Sequence, residues 1–208
     1  MRVSLSFPGS LRPFARGPLR PRPSHPTPLL PRQSRRDVPG PGPAAARPRE
    51  AALRYASWGW PVSAGPDGPG TVDLDQVYML WSRLADAPVL GACGWAFDVV
   101  EADGGLGREA LARLDRLGAG PGPVVLDPVR PERLGFLVRP GSAGAIRPWV
   151  SWAGSTRLYT AGQTYELPGG EPDRRRWLRD PGAGHSGRPV LPAAHLLLGA
   201  LALAPRRA

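Results

Sequence analysis

The chain has 208 residues and a formal charge of +10, enough for one domain or for one domain and a tail. Residues 1–50 hold ten arginines against Asp37 and Glu50, a charge of +8, and the remainder carries only +2. The single cysteine, Cys93, excludes an internal disulfide and a multi-cysteine zinc site, and the apolar run at 196–204 falls short of the ~20 residues that span a bilayer.

A basic chain ordinarily points to nucleic acid or an anionic membrane surface. Here the excess charge belongs to the N-terminal stretch, and it has a bland source. The chain has no Lys and no Asn, and Ile146 is its one isoleucine, whereas Arg, Ala, Gly and Pro abound. A GC-rich genome supplies that composition without selection for phosphate contacts. The N-terminus has no continuous apolar stretch of the secretory kind, so the expected location is cytoplasmic and no membrane partner is expected. Its Arg/Ser-rich, acid-poor character overlaps with organellar transit peptides, and a start codon set too far upstream would look the same.

Prolines recur every few positions in residues 1–47, each fixing φ and removing an amide donor, and large apolar residues are few. The expectation is a disordered Arg/Pro-rich tail over 1–47 and one domain over 48–205. The domain opens with Ala51, Ala52, Tyr55 and Trp58 at helical spacing, stopped by Gly59. Residues 60–62 read as a short strand with Pro61 at its edge or start, and 65–70 as a loop. Leu74, Val77, Tyr78, Trp81, Leu84 and Ala85 form the clearest amphipathic stripe, with Thr71 or Asp73 as N-cap. Strands are expected at 88–92 and 95–100, on either side of Gly94. A helix is expected over about 107–117, with Ala110, Leu111, Leu114 and Leu117 as its stripe and Gly118 as its stop. Strands follow at 124–126, 134–138, 158–161, 164–167 and 175–178. A helix over 192–203, carrying His195, Leu196 and Gly199, closes the chain. This alternation predicts an α/β or α+β fold, a mixed central sheet flanked by helices.

Few patterns carry chemistry. Gly104-Gly105-Leu106-Gly107 precedes a helix, where amides can meet a phosphate, but it is neither a Walker A sequence nor a GxGxxG fingerprint. A turn and helix entry accounts for it. His25, His185 and His195 lie far apart, residues 182–187 read as a loop, and no nucleophile elbow is present. Asp98 stands out, because it sits in the apolar run Phe97-Asp98-Val99-Val100, where an unpaired carboxylate is costly to bury. Strand carboxylates at i and i+2 share a face and can hold a pair of Mg²⁺ ions for nucleotidyl transfer. Here i+2 is Val100, and Glu101 at i+3 points to the other face unless the strand ends or bulges first. Asp98 as metal ligand with Glu101, or Asp103, as catalytic partner requires such a bulge. Arg174, Arg175, Arg176 and Arg179 surround Trp177, a mixture of cations and aromatic ring found on nucleic-acid surfaces. Glu171, Asp173 and Asp180 stand close enough in sequence to neutralise them.

The segment Ala51-Ala52-Leu53-Arg54-Tyr55-Ala56-Ser57-Trp58-Gly59-Trp60-Pro61-Val62 resembles the opening of bifunctional DNA primase/polymerase N-terminal domains. These prim-pol domains, of the archaeo-eukaryotic primase superfamily, begin with a helix running into a "GWPV" strand. The similarity continues in family order through Gly94-Trp95-Ala96-Phe97-Asp98-Val99-Val100, the Gly104-Gly105 turn and Glu109-Ala110-Leu111. Gly122-Pro123-Val124-Val125 and Leu134-Gly135-Phe136-Leu137-Val138-Arg139-Pro140 follow, and Arg176-Trp177-Leu178 resembles the strand after the family's "PPS" loop. The resemblance covers about residues 51–203. It implies a primase–polymerase-like fold and, in active members, a nucleotidyltransferase using Mg²⁺ or Mn²⁺ on DNA and nucleotides. The chain departs from that pattern. Only Asp98 matches the Asp-x-Asp pair, Leu134 stands where a His is usual, residues 150–157 hold no carboxylate, and Ala161-Gly162-Gln163 replaces "PPS". The departures imply a catalytically degenerate domain with residual binding of nucleic acid or nucleotides. The alternative is a non-catalytic interaction or scaffold protein with the basic tail as its tether.

Overall fold

A computed structural model describes residues 48–129, 131–150, 156–169, 174–182 and 187–203. The tail expected over 1–47 lies outside the described residues, as do His25, Glu171, Asp173 and His185. In chain order the elements are α1 (Pro48–Ser57), β1 (Val62–Ser63), α2 (Leu74–Arg83), β2 (Val89–Ala92), β3 (Asp98–Asp103), α3 (Gly104–Arg116) and β4 (Val124–Asp127). Then come β5 (Arg133–Val138), α4 (Ser142–Ala145), α5 (Arg147–Val150), β6 (Arg157–Tyr159), β7 (Thr164–Leu167), β8 (Arg176–Arg179) and α6 (Ala194–Ala202).

The fold is α+β, with two antiparallel sheets where one mixed sheet is expected from the sequence. One has the order β1-β2-β7 and the other β6-β3-β5-β4-β8. The difference has a topological cause. The β3–α3–β4 crossover makes β3 and β4 run the same way, as in any such unit, but β5 inserts between them and pairs antiparallel with both. The strands on either side of Gly94 also part company, β2 joining β1 and β7 while β3 joins β5 and β6.

Local chemistry sets the helix starts. Asp73 caps α2, accepting from the amides of Asp75 (2.9 Å) and Gln76 (3.1 Å), and Thr71 instead receives the Asp73 amide. Helix α3 begins at Gly104, earlier than its apolar stripe suggests, because Asp103 at the end of β3 accepts the Leu106 amide at 2.9 Å. The glycines here serve close packing. The Gly104 amide donates to the Glu132 carbonyl at 2.7 Å, and a Cβ on Gly107 would stand 2.9 Å from that of Leu134. The α3 N-terminus is thus occupied by the chain's own carboxylate. The single turns α4 and α5 escape a periodicity reading because Gly141 (φ +78°) and Pro148 break the region into pieces too short to show a stripe.

The five-stranded sheet is buried on both faces. Val100, Ala102, Leu126, Leu134, Phe136 and Val138 pack under α3, α4, α5 and α6. Val99, Val125 and Leu137 face the other way, toward Tyr55, Trp60, Trp81, Phe97, Tyr165 and Leu167. This is the two-residue period of a strand, with apolar residues on both sides because both sides are covered. The apolar run near the C-terminus is used in α6, which buries Leu197, Ala200 and Leu201. Among the described residues no helix is long and apolar enough to cross a membrane.

Candidate functional site

Strand β3 pairs with β5 without interruption from Asp98↔Val138 to Asp103↔Arg133. No bulge intervenes, so Asp98 shares a face with Val100 and Ala102, while Glu101 shares the opposite one with Val99. Both carboxylates are buried. Asp98 Oδ2 accepts the Ala143 amide at 3.2 Å and so fastens β3 to α4. Burial pushes its carboxyl above the ordinary range, and the amides of Ala143, Gly141 and Gly94 oppose that push.

Glu101 belongs to an ionic cluster enclosed between the five-stranded sheet and β7. Its Oε1 lies 3.4 Å from Arg133 Nη1 and its Oε2 3.8 Å from Arg175 Nη2, and Arg157 is its register partner on β6. Arg175 also pairs with Asp127 (Nε to Oδ2, 3.1 Å), donates to the Glu166 carbonyl and lies 4.4 Å above the Tyr165 ring. Burial raises the Glu101 carboxyl above its usual range, and Arg175, then Arg133 and Arg157, pull it back. Burial likewise raises the Tyr165 phenol, whose oxygen has no hydrogen-bond partner among the described residues.

Asp98 and Glu101 therefore do not form the shared site considered from the sequence. One carboxylate opens on the α3/α6 side and the other is held by guanidinium groups on the β7 side. Asp103 shares the Glu101 face but caps α3. Leu134, at the position where the resemblance expects His, is buried in the core under α3. Among the described residues, Asp98, Glu101 and Asp103 do not converge as holding the Mg²⁺ or Mn²⁺ implied by the resemblance would require. Among the described residues, no three His, Cys, Asp or Glu side chains come together as a metal-holding group.

The four arginines around Trp177 do not make one stripe. Arg175 turns inward to Asp127 and Glu101, Arg179 pairs with Asp115 of α3, and Arg174 lies 3.7 Å from Glu166. Arg176 is exposed and pairs in register with Leu126, whereas Trp177 pairs with Val125 and donates to Tyr55 Oη at 3.1 Å. A register shift between Val124 and Val125 further breaks the alternation. Sequence reasoning missed Asp127, Arg133 and Tyr165 altogether. The i, i+2 rule, applied from Glu101 rather than Asp98, would have grouped Glu101 with Asp103, but nothing local reveals the arginines.

An open concavity lies elsewhere. A groove of about 640 Å³ is lined by Trp58, Trp60, Val72, Trp95, Arg188 and Leu191, among others. It brings together the end of α1, the start of β1, the turn between β2 and β3, and the segment leading to α6. Comparison with protein-family models, curated proteins and solved structures found no match to the chain.

Proposed function

We propose that the chain is a primase/polymerase-like domain whose catalytic positions have turned structural, and that it binds nucleic acid or nucleotides without joining them. The observation that carries this reading is the separation of Asp98 and Glu101 onto opposite faces of β3, each already engaged by the protein. Nucleotidyl transfer by paired ions needs carboxylates that converge, and these diverge. The order of family-like segments along residues 51–203 supports the ancestry, and the lone buried Cys93 suits a cytoplasmic setting. Primer extension and de novo priming with Mg²⁺ or Mn²⁺ test the reading. No product above the blank is expected, and synthesis that disappears in Asp98→Ala would overturn it.

A non-catalytic scaffold is the second reading, and the half-exposed Val72, Leu74, Tyr78, Met79 and Leu84 on and beside α2 favour it. It makes the basic tail the DNA tether. A chain starting at Arg49 would then lose the salt-dependent DNA affinity of the full chain.

A further inference from the structure

The aromatic groove is built differently from the two carboxylate sites. Trp95 is 81% exposed and pairs with no other ring among the described residues. The turn that presents it is tied down. The Gly94 amide donates to the Phe97 carbonyl at 2.8 Å, and the Cys93 amide donates to the Gln163 carbonyl at 2.9 Å. Behind Trp95 the wall is a locked set of rings, with Trp60 4.9 Å from Phe97, 5.3 Å from Trp58 and 5.8 Å from Tyr55, centroid to centroid. A preformed aromatic surface loses little entropy when a flat ligand settles on it.

The charge at the groove has one sign. The Arg188 guanidinium lies over Gly59, 3.5 Å from where a Cβ would stand. No carboxylate is among the described residues lining the groove. A ligand that both stacks and carries an anion satisfies the two features together. A proline-rich or apolar peptide would use the rings and leave Arg188 without a partner. A duplex keeps the π faces of its bases inside the stack, whereas a single strand offers them. The volume also falls within the ~300–1,000 Å³ of ligand sites.

We propose that this groove takes single-stranded nucleic acid, with a base stacked on Trp95 and a neighbouring phosphate on Arg188. The proposal rests on the nucleic-acid reading above and assigns it a place away from β3. The test uses the full chain and a fluorescently labelled oligo-dT of about 20 nucleotides, followed by anisotropy over a range of salt. Trp95→Ala is expected to weaken binding on the order of tenfold or more, with Trp95→Phe recovering most of it. Arg188→Gln is expected to lower the slope of log affinity against log salt by roughly 0.7, the share of one single-strand phosphate contact. Arg176→Ala, on the edge strand β8 and not among the residues lining the groove, serves as the comparison and should retain the Trp95-dependent component. Trp95 is exposed, so an unchanged melting temperature in Trp95→Ala separates a binding defect from a folding defect. Wild-type affinity in both groove variants would overturn the groove and leave the nucleic-acid reading standing. Failure of the unaltered chain to bind at low salt would overturn that reading, and the groove with it. A proline-rich peptide that binds through Trp95 without competition from oligo-dT would also overturn the proposal.

Discussion

The phenol of Tyr165 occupies the space that a side chain at Gly135 would fill. Gly135 is the register partner of Glu101, so the bare backbone at this point of β5 is what admits the β7 tyrosine over the ionic cluster. A Cβ there would overlap the Tyr165 hydroxyl and crowd the ring carbon behind it, and it would stand 3.3 Å from Val99 Cγ1. A flexible side chain would swing away, but Tyr165 is buried and Arg175 covers its ring. Gly135→Ala is therefore expected to destabilise the fold by about 1–3 kcal/mol, the usual range for overpacking. A lower denaturation midpoint in urea checks it.

Glu101 gives the fold a pH dependence whose sign follows from burial. Its folded pKa is raised above the ordinary 4.5, so between that value and the raised one the folded state holds more protons than the unfolded chain. The contribution is complete below about 4.5 and is lost as pH rises through the folded value. Asp98, raised from 3.8, adds in the same direction. Glu132, lowered by Arg108, works against them, but that pair is largely exposed and screened. Unfolding free energies measured from about pH 4 upward should decline in the wild type and decline less in Glu101→Gln. An equal slope in the variant would show that Glu101 does not supply it.

The helices with strong stripes were legible because a helix period can be read within ten residues. Val77 and Trp81 on α2, and Ala110, Leu111 and Leu114 on α3, are buried as their spacing requires, whereas Leu74, Tyr78, Leu84 and Ala85 of the first expected stripe and Leu117 of the second are exposed. The divergence of Asp98 and Glu101 was legible too, since it needs only the two-residue period and an unbroken strand. The partition into two sheets was not. Gly94 separates β2 from β3 in a few residues, and which strands each one joins is settled by pairings with β5, β6 and β7, all distant in sequence. The Glu101 cluster was hidden for the same reason, because Arg133 arrives on β5 and Arg175 from the segment before β8. Arg175, grouped by composition with a basic run, is drawn inward by Tyr165, Asp127 and Glu101, and no local pattern records that. Trp58 was read as a helix residue and Trp60 and Trp95 as strand residues, and Arg188 was not singled out, since only the fold brings them to line one groove.

Cys93 gives an accessible measure of how tightly the β2–β3 turn is held. Burial is the main force that lifts its thiol to about 12, and the neighbouring Asp98 adds to it. The nucleophilic species is the thiolate, which is scarce at neutral pH in the folded protein. Native protein at about pH 8 should react with iodoacetamide far more slowly than a small-molecule thiol, and denaturant should restore the rate. Fast labelling without denaturant would mean that the turn opens on the time scale of the reaction.

Asp98 distinguishes a structural carboxylate from a catalytic one by the contrast between two substitutions. In the structural role described above, what matters is an acceptor for the Ala143 amide, and the negative charge is a liability of burial. Asp98→Asn keeps the acceptor and removes the charge, so it should fold as well as the wild type or better above the titration window. Asp98→Ala leaves a buried amide without its partner and opens a small cavity, for a loss of about 1–3 kcal/mol. A metal ligand would behave otherwise, since Asn and Ala would both cost metal-dependent activity while having unequal effects on folding. Denaturation midpoints of the two variants, set beside primer extension with Mg²⁺ or Mn²⁺, separate the cases. Midpoints ordered Asn above Ala, with no synthesis in the wild type, assign Asp98 to the scaffold; wild-type synthesis abolished equally by both assigns it to the reaction.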